Sequence, residues 1–360
     1  MKLTDKEIGC IQDSRLASEQ QQALTDAQLE LLQSKGLFNI WVPRDYGGLE
    51  LDFKEGLELL LEFAYWDGGL GWTLTLCSGA NMFAGFLNPS LAKKIFTQME
   101  VCWGGSGQAT GKAVAEDGGY RISGKWSYAT GAPHLSHFTL NAPIYNAYGP
   151  VLNDDGEPKV LSFFIEKEQV LIHYDWEAFG LRATASHSFS VDGVFVGHEH
   201  SFELLPGKAF SSYPLYKIPF LPFAHATLLV NYLGMFKRYL YLAEKHFLVA
   251  LKNTQSEEVK GHLKRNVQSI DAEHREVERF EAEFWDIINA IQEAVATEDP
   301  LSAELLSSLE AISKDFVKKS RATVSSMFHL LGMDAARSTS EINSVFRNLY
   351  TASQHSLLNL

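Results

Sequence analysis

The chain has 360 residues, of which 46% are hydrophobic and 12% aromatic, so it can bury a large core in two or three domains. Its formal net charge of −13 argues against binding of nucleic acid, which requires a basic surface. Cys10, Cys77 and Cys102 are widely separated and lack Cys-x-x-Cys spacing, which argues against a disulfide framework and an obvious zinc or iron–sulfur site. Because no signal-peptide pattern and no apolar run near about 20 residues occurs, we expect a cytoplasmic protein without membrane segments.

Residues 1–98 are predicted to form an N-terminal helical domain. Apolar side chains recur there at helical spacing, Asp52 and Asn88 are placed as N-caps, and Gly36 is placed as a helix stop. The predicted helices cover residues 24–35, 52–67 and 88–98.

Residues 99–210 are predicted to form a central β-domain, a barrel or a sandwich. Short β-branched and aromatic runs alternate with Gly, Asp and Asn, and Gly118-Gly119 marks a turn. The glycine-rich loop at 104–107 leads into a strand and not into a helix, which is the reverse of the common dinucleotide-binding order. A cofactor bound here would therefore be held on the β-domain. Residues 191–194, Val-Asp-Gly-Val, fit either a two-residue hairpin turn or a bulge in one continuous strand.

Residues 211–360 are predicted to form an antiparallel bundle of about four long helices. Helical periodicity continues for most of this region, with a break at Asp299-Pro300 and with Gly332 placed just after a helix end. The apolar faces include Phe280, Phe284 and Ile287, more than a small bundle usually hides, which predicts a homo-oligomer.

Three stretches in the expected order resemble the acyl-CoA dehydrogenase superfamily. They are residues 37–48, residues 118–131 and the Phe-Gly-Leu-Arg-Ala-Thr-Ala-Ser run that begins at Phe179. The resemblance covers nearly the whole chain. It implies an α+β fold in which a flavin lies between the central β-domain and the C-terminal bundle, and a homodimer or homotetramer.

Within that superfamily, two details resemble the oxygenase components of two-component monooxygenases. The run from Trp126 to Gly131 is similar to their Trp-x-Phe-Ala-Ser-Gly, and the run from Arg347 to His355 is similar to their Arg-Asp-Leu pattern followed by His. The catalytic Glu of the dehydrogenases has no evident counterpart, because its two usual positions match Ser356 and roughly Ala224-His225. Acyl-CoA dehydrogenation would then lack its base.

The resemblance implies a site that holds reduced flavin, supplied by a separate reductase, beside a small-molecule substrate. His355 is the candidate acid or base, and Thr130 would hydrogen-bond a flavin peroxide. The candidate cofactor-binding residues are Ser106, Gln108, Trp126, Ser127, Tyr128, Thr130 and His134.

The same residues also fit simpler roles. Trp126 and Tyr128 could be strand residues of the core, Thr130 a turn residue, and His355 a surface histidine near the C-terminus. His198-Glu-His200 and the pair His134 and His137 lie in a loop and a turn, so we expect no metal site. An acyl-CoA dehydrogenase with an unrecognised base and a non-catalytic flavin-binding or scaffold protein are the alternative functions.

Two departures from the family pattern bear on the cofactor. The second active-site His that the monooxygenases often carry is matched by Asn81. The segment that dehydrogenases use for the FAD diphosphate has no counterpart at 245–251. The flavin could therefore be FAD or FMN.

Overall fold

A computed structural model describes residues 2–98 and 100–359 of the chain. The N-terminal region contains α1 (Asp5–Gln21), α2 (Asp26–Ser34), α3 (Phe53–Trp66), α4 (Gly68–Asn81) and α5 (Pro89–Phe96). Asp52 and Asn88 cap α3 and α5 as predicted, each accepting a hydrogen bond from a backbone N–H of the first turn. The sequence patterns did not delimit α1 or α4 individually.

The glycines of helix α4 are explained by its close packing against neighbouring helices. Its glycines would weaken an isolated helix by about 1 kcal/mol each relative to alanine. A Cβ atom on Gly68 would lie 2.4 Å from Met235 Sδ, and one on Gly71 would lie 2.5 Å from Ala64 Cα. Close packing against α3 and the C-terminal region therefore selects glycine at these positions.

The central region is a mixed sheet whose strands occur in the order β7-β8-β3-β2-β4-β6-β9. Strand β4 is shared by two parts of the sheet: its first half pairs with β1 and β6, and its end pairs with β2 and β5. The strands are β1 (Trp103–Ser106), β2 (Lys112–Glu116), β3 (Gly119–Ala129), β4 (His137–Asn146), β5 (Gly149–Pro150), β6 (Val160–Glu166), β7 (Leu171–His173), β8 (His187–Gly197) and β9 (Ser201–Phe202).

Strand β8 settles the question left open at residues 191–194. It runs without interruption through Gly193, which has φ +63°, and its pairing with β3 shifts register where Ile122 faces Val194 and Gly124 faces Val191. Three residues of β8 thus span a step of two in β3, which is a bulge. The bulge interpretation is confirmed and the hairpin interpretation is wrong.

The C-terminal region is helical, as predicted, with three long helices and two shorter ones. They are α6 (Phe220–Asn253), α7 (Glu257–Thr297), α8 (Ala303–Phe328), α9 (Gly332–Ala336) and α10 (Glu341–Ala352). Phe284 is fully buried, and Phe280 stacks on Phe316 of α8 with ring centres 4.0 Å apart. These phenylalanines pack within the chain itself, so they do not supply the free apolar face on which the oligomer prediction relied. Among the described residues, no helix is long and apolar enough to cross a membrane.

Candidate active site

The candidate site is built on the segment between β7 and β8, which contacts both the β-domain and the end of the chain. Leu181 and Ala185 have φ of +52° and +44°, a left-handed conformation that costs a non-glycine residue about 1–3 kcal/mol. The N–H of Gly180 donates to Thr351 Oγ1 at 2.8 Å, and the N–H of Leu181 donates to Asn348 Oδ1 at 2.7 Å. Helix α10 thus holds this strained segment in place, one turn before His355.

A chain of three hydroxyl groups connects that segment to Thr130 at the end of β3. Thr130 Oγ1 lies 2.9 Å from Ser186 Oγ, which lies 2.7 Å from Thr184 Oγ1. Thr184 donates to the carbonyl of Leu181 at 2.8 Å, and a carbonyl can only accept. The protons therefore run from Thr130 to Ser186 to Thr184. Thr130 is 5% exposed, and its hydroxyl oxygen keeps a lone pair for another partner.

Two imidazoles, the half-buried His355 and the buried His225, lie where the C-terminal segment packs against the start of α6. His355 contacts the Trp72 ring of α4 edge-on, with ring centres 5.9 Å apart, and His225 is 4% exposed. Burial lowers the pKa of each histidine, and the charge that His225 acquires on protonation lowers the pKa of His355 further. Both imidazoles are therefore neutral at pH 7.

The two rings offer opposite polarity. The N–H of Leu357 donates to Nδ1 of His355 at 3.2 Å, so the proton of the neutral ring lies on Nε2, which is a donor. Nδ1 of His225 is buried and has no hydrogen-bond partner among residues 2–98 and 100–359. A buried ring nitrogen without a partner costs about 1–3 kcal/mol unless water or a ligand contacts it. Nδ1 of His225 thus lacks, among the described residues, the hydrogen bond that a buried ring nitrogen normally makes.

The aromatic residues predicted for the cofactor have very different surroundings. Trp126 is fully buried, stacks on Phe189 with ring centres 5.5 Å apart, and donates Nε1–H to the carbonyl of Asn141 at 3.0 Å. It is a residue of β3 whose side chain lies in the core of the β-domain. Tyr128 is 63% exposed and has φ +69°, with its ring set edge-on to Trp176. A strained backbone that holds an apolar ring outward is typical of a binding surface.

The remaining predicted residues lie near the same edge of the β-domain. Ser106 and Ser127 are half-buried, and Gln108 is exposed with its N–H donating to Ser106 Oγ at 3.3 Å. His134 follows Gly131 in a tight turn, and its Nε2 faces the thiols of Cys77 and Cys102. The Cys102 thiol, through a hydrogen bond, and the nearby His134 together lower the pKa of Cys77 to about 6.

The sequence patterns missed three parts of this site. His225 lies roughly where the dehydrogenases carry a carboxylate, and the sequence patterns predicted no role for its imidazole. Thr184 and Ser186 lie in the resembling stretch, yet only the fold brings their hydroxyl groups to Thr130. Asn81, which replaces the family His, donates to the carbonyl of Val101 and accepts from the N–H of Trp103, and so supports the backbone.

Comparisons with known proteins find hydroxylases and flavin-dependent monooxygenases. The pigment production hydroxylase of Rhodococcus sp. is 25% identical over 361 residues, which is 95% of this chain and 88% of the relative. HsaA of Mycobacterium tuberculosis, described as the oxygenase subunit of a flavin-dependent monooxygenase, is 27% identical over 62% of this chain and 57% of its own length. Its crystal structure superposes with a TM-score of 0.85 at 21% identity, over 99% of this chain and 92% of HsaA. The chain is similar in sequence to these monooxygenases and has the acyl-CoA dehydrogenase-like fold.

A second solved structure with this fold contains reduced flavin. XiaF from Streptomyces sp., solved with FADH2 and glycerol, superposes with a TM-score of 0.82 at 21% identity, over 98% of this chain and 90% of XiaF. No protein-family model matches the chain. The predicted fold class, an N-terminal helical domain, a central β-domain and a C-terminal bundle, is confirmed.

Proposed function

We propose that the chain is the oxygenase component of a two-component flavin-dependent monooxygenase. It would take reduced flavin from a separate reductase, use O2, and oxygenate a small molecule in the cytoplasm. The observation that carries the proposal is the polarity of the site: the buried Thr130 offers an acceptor and the half-buried His355 offers a donor.

The acceptor at Thr130 suits the reduced form of the cofactor. A bound reduced flavin supplies the electrons that activate O2, and it carries an N–H group at N5 where the oxidised ring carries only an acceptor. Because Thr130 directs its own proton to Ser186, its oxygen can accept from such an N–H. To donate to the oxidised ring, the same hydroxyl would have to give up its hydrogen bond to Ser186. We therefore expect tighter binding of reduced than of oxidised flavin.

The two histidines divide the proton chemistry. His355 holds a proton on Nε2 and can donate a hydrogen bond to an oxygen atom that gains negative charge. His225 can accept a proton at Nδ1 from a hydroxyl or N–H group of the substrate, since that atom has no partner among the described residues. The Trp72 ring contacts His355 edge-on and shields part of it from water, which strengthens its interaction.

The dehydrogenase alternative lacks support at the same place. The carboxylate whose charge acts on His225 is Glu310, and its side chain is 49% exposed and paired with Lys314 at 2.8 Å. A neutralised surface carboxylate is a poor base for removing a proton beside a thioester. The site therefore favours oxygenation over acyl-CoA dehydrogenation.

The test uses the full chain mixed anaerobically with FADH2 or FMNH2 and then with oxygenated buffer. We expect binding of reduced flavin to exceed that of oxidised flavin, and reoxidation to proceed in two phases where free flavin gives one. Thr130→Val should remove the preference for reduced flavin. His355→Gln should leave affinity within about twofold and shorten the delay before hydrogen peroxide is released, because the donor is displaced.

Three results would contradict the proposal. Anaerobic reduction of bound flavin by butyryl-CoA would favour the dehydrogenase. Absence of binding for both flavins in both redox states would favour a scaffold. If His355→Gln and the wild-type protein release hydrogen peroxide after the same delay, His355 has no role in the reaction. Light scattering of the purified chain would test the proposed homodimer or homotetramer.

A further inference from the structure

Three side chains that can bind a metal meet between α4 and the β-domain, outside the hydroxyl chain and the histidine pair. Cys77 lies on α4, Cys102 lies just before β1, and His134 lies in the turn after β3. The two sulfur atoms and a ring nitrogen of His134 all lie within 4.8 Å of one another. Both cysteines are free thiols with no exposed surface.

Asn81 explains why the two thiols meet. It lies one helical turn after Cys77, on the same face of α4. Its side chain donates to the carbonyl of Val101 at 3.3 Å and accepts from the N–H of Trp103 at 2.7 Å, which holds both neighbours of Cys102. A single buried amide thus aligns Cys102 with Cys77, although 25 positions separate them in the sequence numbering.

Gly131 brings the third group close. It has φ +79°, and its carbonyl accepts from the N–H of His134 at 2.9 Å, so the chain turns back sharply. A Cβ atom at Gly131 would lie 2.7 Å from His134 Nε2 and 3.1 Å from Cys77 Sγ. Only glycine leaves that space free. The buried Nε2 of His134 has no hydrogen-bond partner within the part of the chain that the structure describes.

We propose that Cys77, Cys102 and His134 bind a zinc ion. With zinc about 2.3 Å from sulfur and about 2.0 Å from nitrogen, the ligand atoms of a tetrahedral site lie roughly 3.5–3.8 Å apart. The three donor atoms lie within 4.8 Å of one another, which is compatible with this geometry. Thiolate and imidazole ligands select zinc over magnesium or calcium, which require oxygen. Water would complete the coordination.

The ion would connect α4 to the β-domain beside Thr130, whose carbonyl lies 3.7 Å from Cys77 Sγ. Two thiolates balance the charge of Zn²⁺, so the buried site stays neutral. This inference departs from our expectation of no metal site, which relied on the wide spacing of the cysteines and on the positions of the histidines in a loop and a turn. It does not depend on flavin, and it holds whether or not the proposed function is correct.

The test measures zinc in the full chain purified under reducing conditions. Elemental analysis should find about one zinc per chain, and chelator-treated protein should take up about one zinc per chain again. Co²⁺ in place of zinc should give the visible absorption of tetrahedral thiolate coordination. His134→Gln and Cys77→Ser should each lower zinc affinity at least about 10-fold.

Cys10→Ser and His198→Gln are the matched controls, and both should retain zinc. The zinc content and the Co²⁺ spectrum of the wild-type protein need no variant, so they decide the matter even if Cys77→Ser fails to fold. The proposal is overturned if the wild-type protein neither contains nor takes up zinc. It is also overturned if His198→Gln loses zinc while His134→Gln keeps it, or if mass spectrometry finds a metal-free Cys77–Cys102 disulfide after purification under reducing conditions.

Discussion

Arg347 joins three parts of the chain through one buried guanidinium group. It forms a salt bridge with Glu19 of α1, donates to the carbonyl of Phe179 at 3.0 Å, and donates to Asn343 Oδ1 at 2.8 Å. The side chains of Arg347 and Glu19 are only 11% and 13% exposed. Arg347→Met keeps much of the volume but leaves the Glu19 carboxylate buried without its partner.

The expected loss is large because the remaining charge is shielded from water. Removing one partner of a buried pair costs about 3–5 kcal/mol of unfolding free energy. Melting entropy of about 2.1 cal/mol/K per residue gives about 0.76 kcal/mol/K for 360 residues. The melting temperature of Arg347→Met should therefore fall by about 4–7 °C.

Circular dichroism and calorimetry at pH 7 would measure this shift. Arg337 pairs with Asp334 at 71% and 70% exposure, so Arg337→Met should cost at most about 1 kcal/mol and serves as the control. Adding Glu19→Gln to Arg347→Met should restore part of the stability, because the unpaired charge is removed. Equal melting temperatures for Arg347→Met and Arg337→Met would refute the reasoning.

Three further outcomes follow from the same contacts. Burial lowers the pKa of His225 and His355, so below about pH 6.5 the unfolded chain binds more protons than the folded chain. The unfolding free energy should therefore decrease as the pH is lowered through this range. Urea titrations should show that the double Gln variant loses part of this dependence. Gly193→Ala should lower the unfolding free energy by about 1–2 kcal/mol, because φ is +63° there although the space around it is open. Gly131→Ala should lower it by at least about 1 kcal/mol more, because its Cβ would also crowd His134 and Cys77, and thermal unfolding would measure both losses. Asn81→Ala should speed hydrogen exchange of the Trp103 amide, whereas unchanged exchange would contradict its role at Cys102.

The order of helical and β regions could be predicted from the sequence because it depends on local chemistry. Asp52 and Asn88 cap helices through hydrogen bonds to N–H groups two or three residues away. Gly118 adopts φ +78° in the turn between β2 and β3. Thr130 and His355 were also found from short stretches, because the family resemblance extends over consecutive residues.

The sequence by itself therefore determined the fold class, the caps and turns, and the flavin-oxygenase resemblance. Only the tertiary structure decided the polarity of Thr130, the pairing of His225 with His355, and the meeting of Cys77 and Cys102. These depend on side chains separated by tens to more than a hundred positions, and no local spacing encodes such contacts. Helix α4 shares that dependence, since close approach at its glycines overrides their low helix propensity.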